Sequence, residues 1–147
     1  MSGLRQFFRL PAADRGLLVR SIVLLGVARL ALWLLPLRVA RRILSWGAHP
    51  ASKPGIRPEQ ITWAIGVGRR FIPRADCLPQ ALAAEVLLLR NAHPATLRIG
   101  VYKTVHGRLV AHAWVESGGR IVIGELIEGL SHLTPLPPLP PLPGARA

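Results

Sequence analysis

The chain contains one cysteine and five histidines, and two of these residues sit where they could do chemistry together. Cys77 heads the apolar run Cys77-Leu78-Pro79-Gln80-Ala81-Leu82, directly after Asp76. His112 lies within Ala111-His112-Ala113-Trp114-Val115-Glu116, a stretch that reads as strand. A helix N-terminus carries partial positive charge and free N–H groups, and both favour a thiolate over a thiol. An imidazole brought in from elsewhere in the chain completes a nucleophile–base pair, and a carboxylate on its second nitrogen completes a triad. His93 and His132 neighbour breakers or turns, His106 is in a turn and His49 in a linker. None has metal-ligand partner spacing, so neither a metal nor another cofactor is expected.

The elements that must position these residues follow from periodicity. Residues 12–46 read as one broken helix or two consecutive helices, with Pro36 at the break. His49 to Pro58 holds Pro, Gly and Lys and reads as a surface connection. Pro58-Glu59-Gln60 opens a helix running to about Phe71, with Pro in the first turn. Ile72 to Ala75 is a loop, and Asp76 is the expected N-cap of a helix from Cys77 to about Asn91. Leu78, Leu82, Val86 and Leu89 recur there at helical spacing, and His93-Pro94 ends it. From Ala95 the period becomes two: Leu97, Ile99 and Val101 mark one strand, and Arg108–Glu116 and Arg120–Glu125 mark two more. Turns at His106-Gly107 and Gly118-Gly119 join them into a three-stranded antiparallel meander, which makes the class α+β. The Pro-rich stretch Pro135–Pro143 is too proline-dense for a helix or a central strand and reads as extended polyproline, a spacer or docking tail. The organisation is therefore an N-terminal helical segment over 1–50, a core over 51–134 and a proline-rich tail over 135–147.

The hairpin register nominates the third group. With Gly118-Gly119 as a two-residue turn, Ser117 faces Arg120 and His112 faces Glu125, with β-carbons about 4.5–5.5 Å apart. Glu116 shares the His112 face but lies about 13 Å along the strand. The nominated triad is Cys77, His112 and Glu125. Each member also has a plainer reading: Cys77 as a small buried hydrophobe, His112 as a core histidine beside Trp114, and Glu125 as the end of a strand.

Composition bounds the rest. A chain of 147 residues is long enough for one domain with a real core. A single cysteine excludes an internal disulfide and a multi-cysteine zinc site, and fits a reducing, cytoplasmic compartment. The formal charge of +12 is large. With one Tyr, three Phe and no basic clusters beyond pairs such as Arg41-Arg42 and Arg69-Arg70, nucleic acid is not the expected partner. A basic surface attracting an acidic peptide or protein fits better. Leu17–Leu35 is apolar and about one membrane span long. Arg20 and Arg29 interrupt it, however, at roughly 2.5–3.5 kcal/mol each for insertion at the centre of a span. Nine residues at about 100° each place the two arginines on opposite helix faces, so neither face is expected to be clean. A packed core helix is the first expectation, and contact with a membrane surface the second.

The blocks Cys77-Leu78-Pro79-Gln80-Ala81-Leu82, Arg98-Ile99-Gly100-Val101 and Ala111-His112-Ala113-Trp114-Val115-Glu116, in this order and spacing, resemble the core of the lasso peptide biosynthesis B proteins. These are transglutaminase-like, microcin-processing cysteine peptidases that remove the leader from a lasso peptide precursor. The resemblance is close over about residues 60–130, and the apolar N-terminus is similar as well. It implies a transglutaminase-like (papain-like) core, with Cys77 as nucleophile and His112 as base. The family's third position, commonly Asp, falls on the next strand. Here that neighbourhood reads Val122-Ile123-Gly124-Glu125, with Glu in place of Asp or one residue displaced. With no stretch spare for a leader-recognition domain, the chain resembles the stand-alone form. That form implies a precursor peptide, a separate leader-binding protein and a lasso cyclase as partners. The chemistry implied is thiol acyl transfer to water, with the oxyanion held by the Cys77 N–H and Gln80, and with Trp114 walling the cleft. Two other readings stand beside it: an amide transferase using the same triad, and a non-catalytic interaction protein at a membrane surface.

Overall fold

A computed structural model describes residues 7–46, 55–124 and 132–142. Among the described residues from Ala12 onward, the helices before the sheet are α1 (Ala12–Leu34), α2 (Leu37–Ser45), α3 (Pro58–Gly68), extended by a 3-10 turn at Arg69–Phe71, and α4 (Cys77–Arg90). The break between α1 and α2 falls at Leu35-Pro36, because proline cannot donate to the preceding turn and holds its own neighbour extended. In α3, Pro58 opens the helix, and Gln60 turns its side-chain oxygen back to accept from the Arg57 N–H at 3.2 Å.

The strands are β1 (Thr96–Lys103), β2 (Leu109–Ser117), β3 (Arg120–Ile123) and β4 (Thr134–Pro135). They form an antiparallel sheet in the order β3-β2-β1-β4. The three-strand meander is present, with one addition. The start of the proline-rich stretch pairs with β1 as an edge strand, Thr134 against Val101, and the Leu136 N–H donates to the Ile99 carbonyl at 2.9 Å. An edge is where proline is tolerated in a sheet.

The core lies between the helices and one sheet face. Leu25 and Ala28 of α1, Ile61 and Ile65 of α3, and Leu82, Val86 and Leu88 of α4 pack with Leu97, Ala113 and Val115 of the sheet. β-strand alternation therefore puts Arg98, Gly100, His112, Trp114 and Glu116 on the other face.

One charged pair is sealed into this core. The Arg41 guanidinium grips the Glu85 carboxylate with two nitrogens, Nε to Oε2 at 2.8 Å, and both residues are buried. Glu85 Oε1 also accepts from the Leu97 N–H at 3.3 Å, and Arg41 donates to the Pro140 carbonyl. Leu139 packs on the core and Leu142 is buried. The proline-rich segment, expected as a spacer or docking tail, is therefore docked on its own chain through residue 142, held by α2.

Candidate active site

Cys77 is delivered by a loop with little freedom. Arg74 adopts the left-handed region at φ +56°, and the Ala75 N–H closes a turn to the Ile72 carbonyl at 3.3 Å. Ala75 itself is buried. Gln80 reaches back from α4, its Nε2 donating to the Ala75 carbonyl at 2.6 Å. Asp76 occupies the N-cap with extended backbone but makes no side-chain capping bond; its carbonyl accepts from the Gln80 N–H at 3.4 Å. Helix geometry then leaves the N–H groups of Cys77 and Leu78 without intrahelical acceptors, while Pro79 has none to offer. The free Cys77 thiol is half-buried, packed against a cluster that includes Ala113, the residue after His112.

His112 is also half-buried, and its ring is held at one nitrogen. Nε2 lies 2.6 Å from the Gly124 carbonyl oxygen. A carbonyl only accepts, so this contact assigns the proton to Nε2, and among the described residues Nδ1 has no hydrogen-bond partner. The imidazole stacks on Trp114 with centroids 6.4 Å apart and planes 14° from parallel. Trp114 is in turn fixed by Nε1–H donating to Glu116 Oε1 at 3.0 Å, and Arg98 pairs with the same carboxylate at 3.5 Å. Only 5% exposed, Trp114 supports His112 rather than presenting a cleft surface.

Gly124 is the residue sequence reasoning missed. Its φ is +86°, and a β-carbon there would lie 2.5 Å from the Ala113 oxygen and 2.9 Å from the Trp114 Cα. No other residue lets the chain pass this close and turn its carbonyl to His112. A lone glycine at the end of a strand pattern, Ile121-Val122-Ile123-Gly124, was the available signal of close backbone approach.

The register departs from the expected arithmetic just before this point. Ser117 faces Arg120 and Glu116 faces Ile121 as expected, but Val115 faces Ile123. Val122 is an extra residue, a β-bulge, and its carbonyl lies 3.1 Å from Thr62 Oγ1 of α3, whose single proton it shares with the Pro58 carbonyl at 3.0 Å. The simple pairing that nominated Glu125 therefore does not extend past Glu116. Glu125 itself lies outside the described residues. Of the nominated oxyanion donors, Gln80 has its amide engaged by the loop before Cys77, and the Cys77 N–H sits at the helix start. Among the described residues no three His, Cys, Asp or Glu side chains are grouped to hold a metal.

A nucleophile-type cysteine at a helix start, followed by an antiparallel sheet bearing an oriented histidine, is the arrangement on which the comparison with known families bears. A transglutaminase-like superfamily domain matches residues 21–137, which include Cys77, His112 and Gly124. The chain belongs to the transglutaminase-like superfamily. The match runs from within α1 to the start of the proline-rich segment, so helices, sheet and β4 fall in one family domain. Members of this superfamily are typically cysteine peptidases or transferases, whose thiol forms an acyl intermediate. No curated protein and no solved structure matches the chain.

Proposed function

We propose that this transglutaminase-like protein is a cysteine peptidase that removes the leader from a lasso peptide precursor. The observation that carries the reading is the His112 ring held through Nε2 by the Gly124 carbonyl, which turns Nδ1 to the role of base, in the same fold as a cysteine heading a helix. The motif blocks around Cys77 and His112 supply the substrate class.

β3 ends at Ile123, opposite Val115, and Gly124 then passes close beside Ala113 and Trp114. The reading requires the Cys77 thiol, at the start of α4, to meet Nδ1 of His112, which lies on the sheet face away from the core. Nδ1 takes the Cys77 proton, and the sulfur attacks the carbonyl that joins leader to core peptide. The Cys77 N–H, together with that of Leu78, stabilises the oxyanion. His112 returns the proton to the departing core amine, leaving the leader as a thioester. Water, deprotonated by His112, hydrolyses that ester to a leader carboxylic acid and free thiol. The Gly124 carbonyl holds the imidazole throughout and accepts a stronger hydrogen bond when the ring is cationic. Glu125, adjacent in sequence, is the side-chain candidate for reinforcing that role.

The partners that follow are the precursor peptide, a separate leader-binding protein that delivers it, and a cyclase that uses the freed core amine, in a cytoplasmic setting. Mass spectrometry of the precursor mixed with the protein, with and without the leader-binding protein, tests the reading. Two fragments whose masses sum to the precursor plus one water, absent with Cys77→Ala, are expected. An intact precursor in every mixture, with the partner verified as leader-bound, would overturn it, and a crosslinked amide product would identify a transferase.

A further inference from the structure

The apolar character of α1 is divided between two faces. Leu17, Leu24, Leu25 and Ala28 enter the core. Val19, Val23, Val27, Leu30 and Leu34 are exposed, from 45% at Val27 to 62% at Leu34, and Trp33 is exposed to 73%. At about 100° per residue the five aliphatic residues fall in an arc of about 80°, and they extend along about 22 Å of helix. Arg20 lies just off one border of this arc. Trp33 and then Arg29 lie off the other. The two arginines that were expected to spoil both faces instead mark the seams between the buried face and the exposed one.

We propose that this exposed face of α1 docks on the surface of an anionic phospholipid bilayer, lying in the plane of the interface. Charge complementarity selects the occupant: described residues 7–46 carry seven arginines and one acidic residue, Asp14, and among the described residues the one ion pair these arginines make is Arg41 with Glu85. Arginines at the borders of an apolar stripe bury their stems and place their guanidinium groups at headgroup level. Trp33 is the residue type that anchors at that depth. By length and composition α1 would suffice to cross a membrane. Its opposite face belongs to the protein core, so the helix lies on the bilayer while the fold stays intact. This inference is independent of the peptidase reading.

Flotation of the full chain with vesicles of equal parts phosphatidylcholine and phosphatidylglycerol tests it, beside pure phosphatidylcholine. The anionic vesicles are expected to retain the protein, and the neutral ones to retain at least about tenfold less. Arg20→Gln with Arg29→Gln should weaken anionic binding by about thirtyfold. Val23→Ser with Leu30→Ser and Trp33→Ser should abolish it with an unchanged far-ultraviolet dichroism spectrum. Should that triple variant unfold, the arginine pair carries the test alone. No binding to anionic vesicles at low salt, or undiminished binding by the folded variants, would overturn the proposal. A dimer in light scattering that the triple variant dissolves, without vesicle binding, would assign the face to a second copy instead.

Discussion

The helical side of this protein and the sheet edge that carries His112 are held by opposite means. On the helical side, position comes from bulk: Leu25, Ile61, Ile65, Leu82 and Leu88 are fully buried, and Arg41 and Glu85 are locked together among them. At the sheet edge, one backbone carbonyl holds the imidazole, a glycine makes that approach sterically feasible, and a bulge satisfied by Thr62 aims it. The difference separates stability from chemistry. Many interchangeable contacts set the first, whereas a few irregular backbone positions set the second, as expected where a reacting group must be placed by turns and bulges rather than by regular structure.

Substitutions that strike one region and spare the other sharpen this contrast. Cys77→Ala should abolish leader removal, by at least about a thousandfold, with little change in the thermal midpoint; turnover by that variant would remove the nucleophile. Gly124→Ala comes next. Its β-carbon would meet Ala113 and Trp114 in a backbone conformation that alanine resists, and a 1 Å displacement of the ring costs about a hundredfold in rate. Single-turnover kinetics and a nitrogen-15 spectrum of His112 would show whether the Nε2 proton is lost, as the account requires. Arg41→Met should cost about 3–5 kcal/mol in denaturant unfolding, because it strands a buried carboxylate, while the folded fraction keeps its activity. Adding Glu85→Met should recover most of that stability. Thr62→Val is the mildest, about 1 kcal/mol, from loss of the bond to the Val122 carbonyl.

The sequence made the local rules legible. Proline at 36 split one apolar run into two helices, Gly118-Gly119 set the turn, and alternation at Leu97, Ile99 and Val101 marked the core face of β1. Cys77 at a helix start and His112 on a strand were also readable, because each depends on a few neighbours. Three features were not. The Arg41–Glu85 pair joins residues 44 apart, and nothing near either one announces the other. The bulge at Val122 depends on a hydroxyl from α3, and it displaced the register that nominated Glu125. The proline-rich segment reads as an extended spacer or docking tail, and nothing in it announces that Leu139 packs on the core and Leu142 is buried. Each is a long-range consequence of packing, invisible to periodicity.

The proposed chemistry requires Cys77 and His112 to act as one pair. Reaction with 1,3-dibromoacetone, which alkylates a thiol and then bridges to an adjacent nitrogen, tests this most directly when followed by peptide mass spectrometry. A single bridge from Cys77 Sγ to His112 Nδ1, lost in Gly124→Ala, is the predicted result. Cys77 carrying only a hydrolysed single-arm adduct, or a bridge to any other residue, would contradict it.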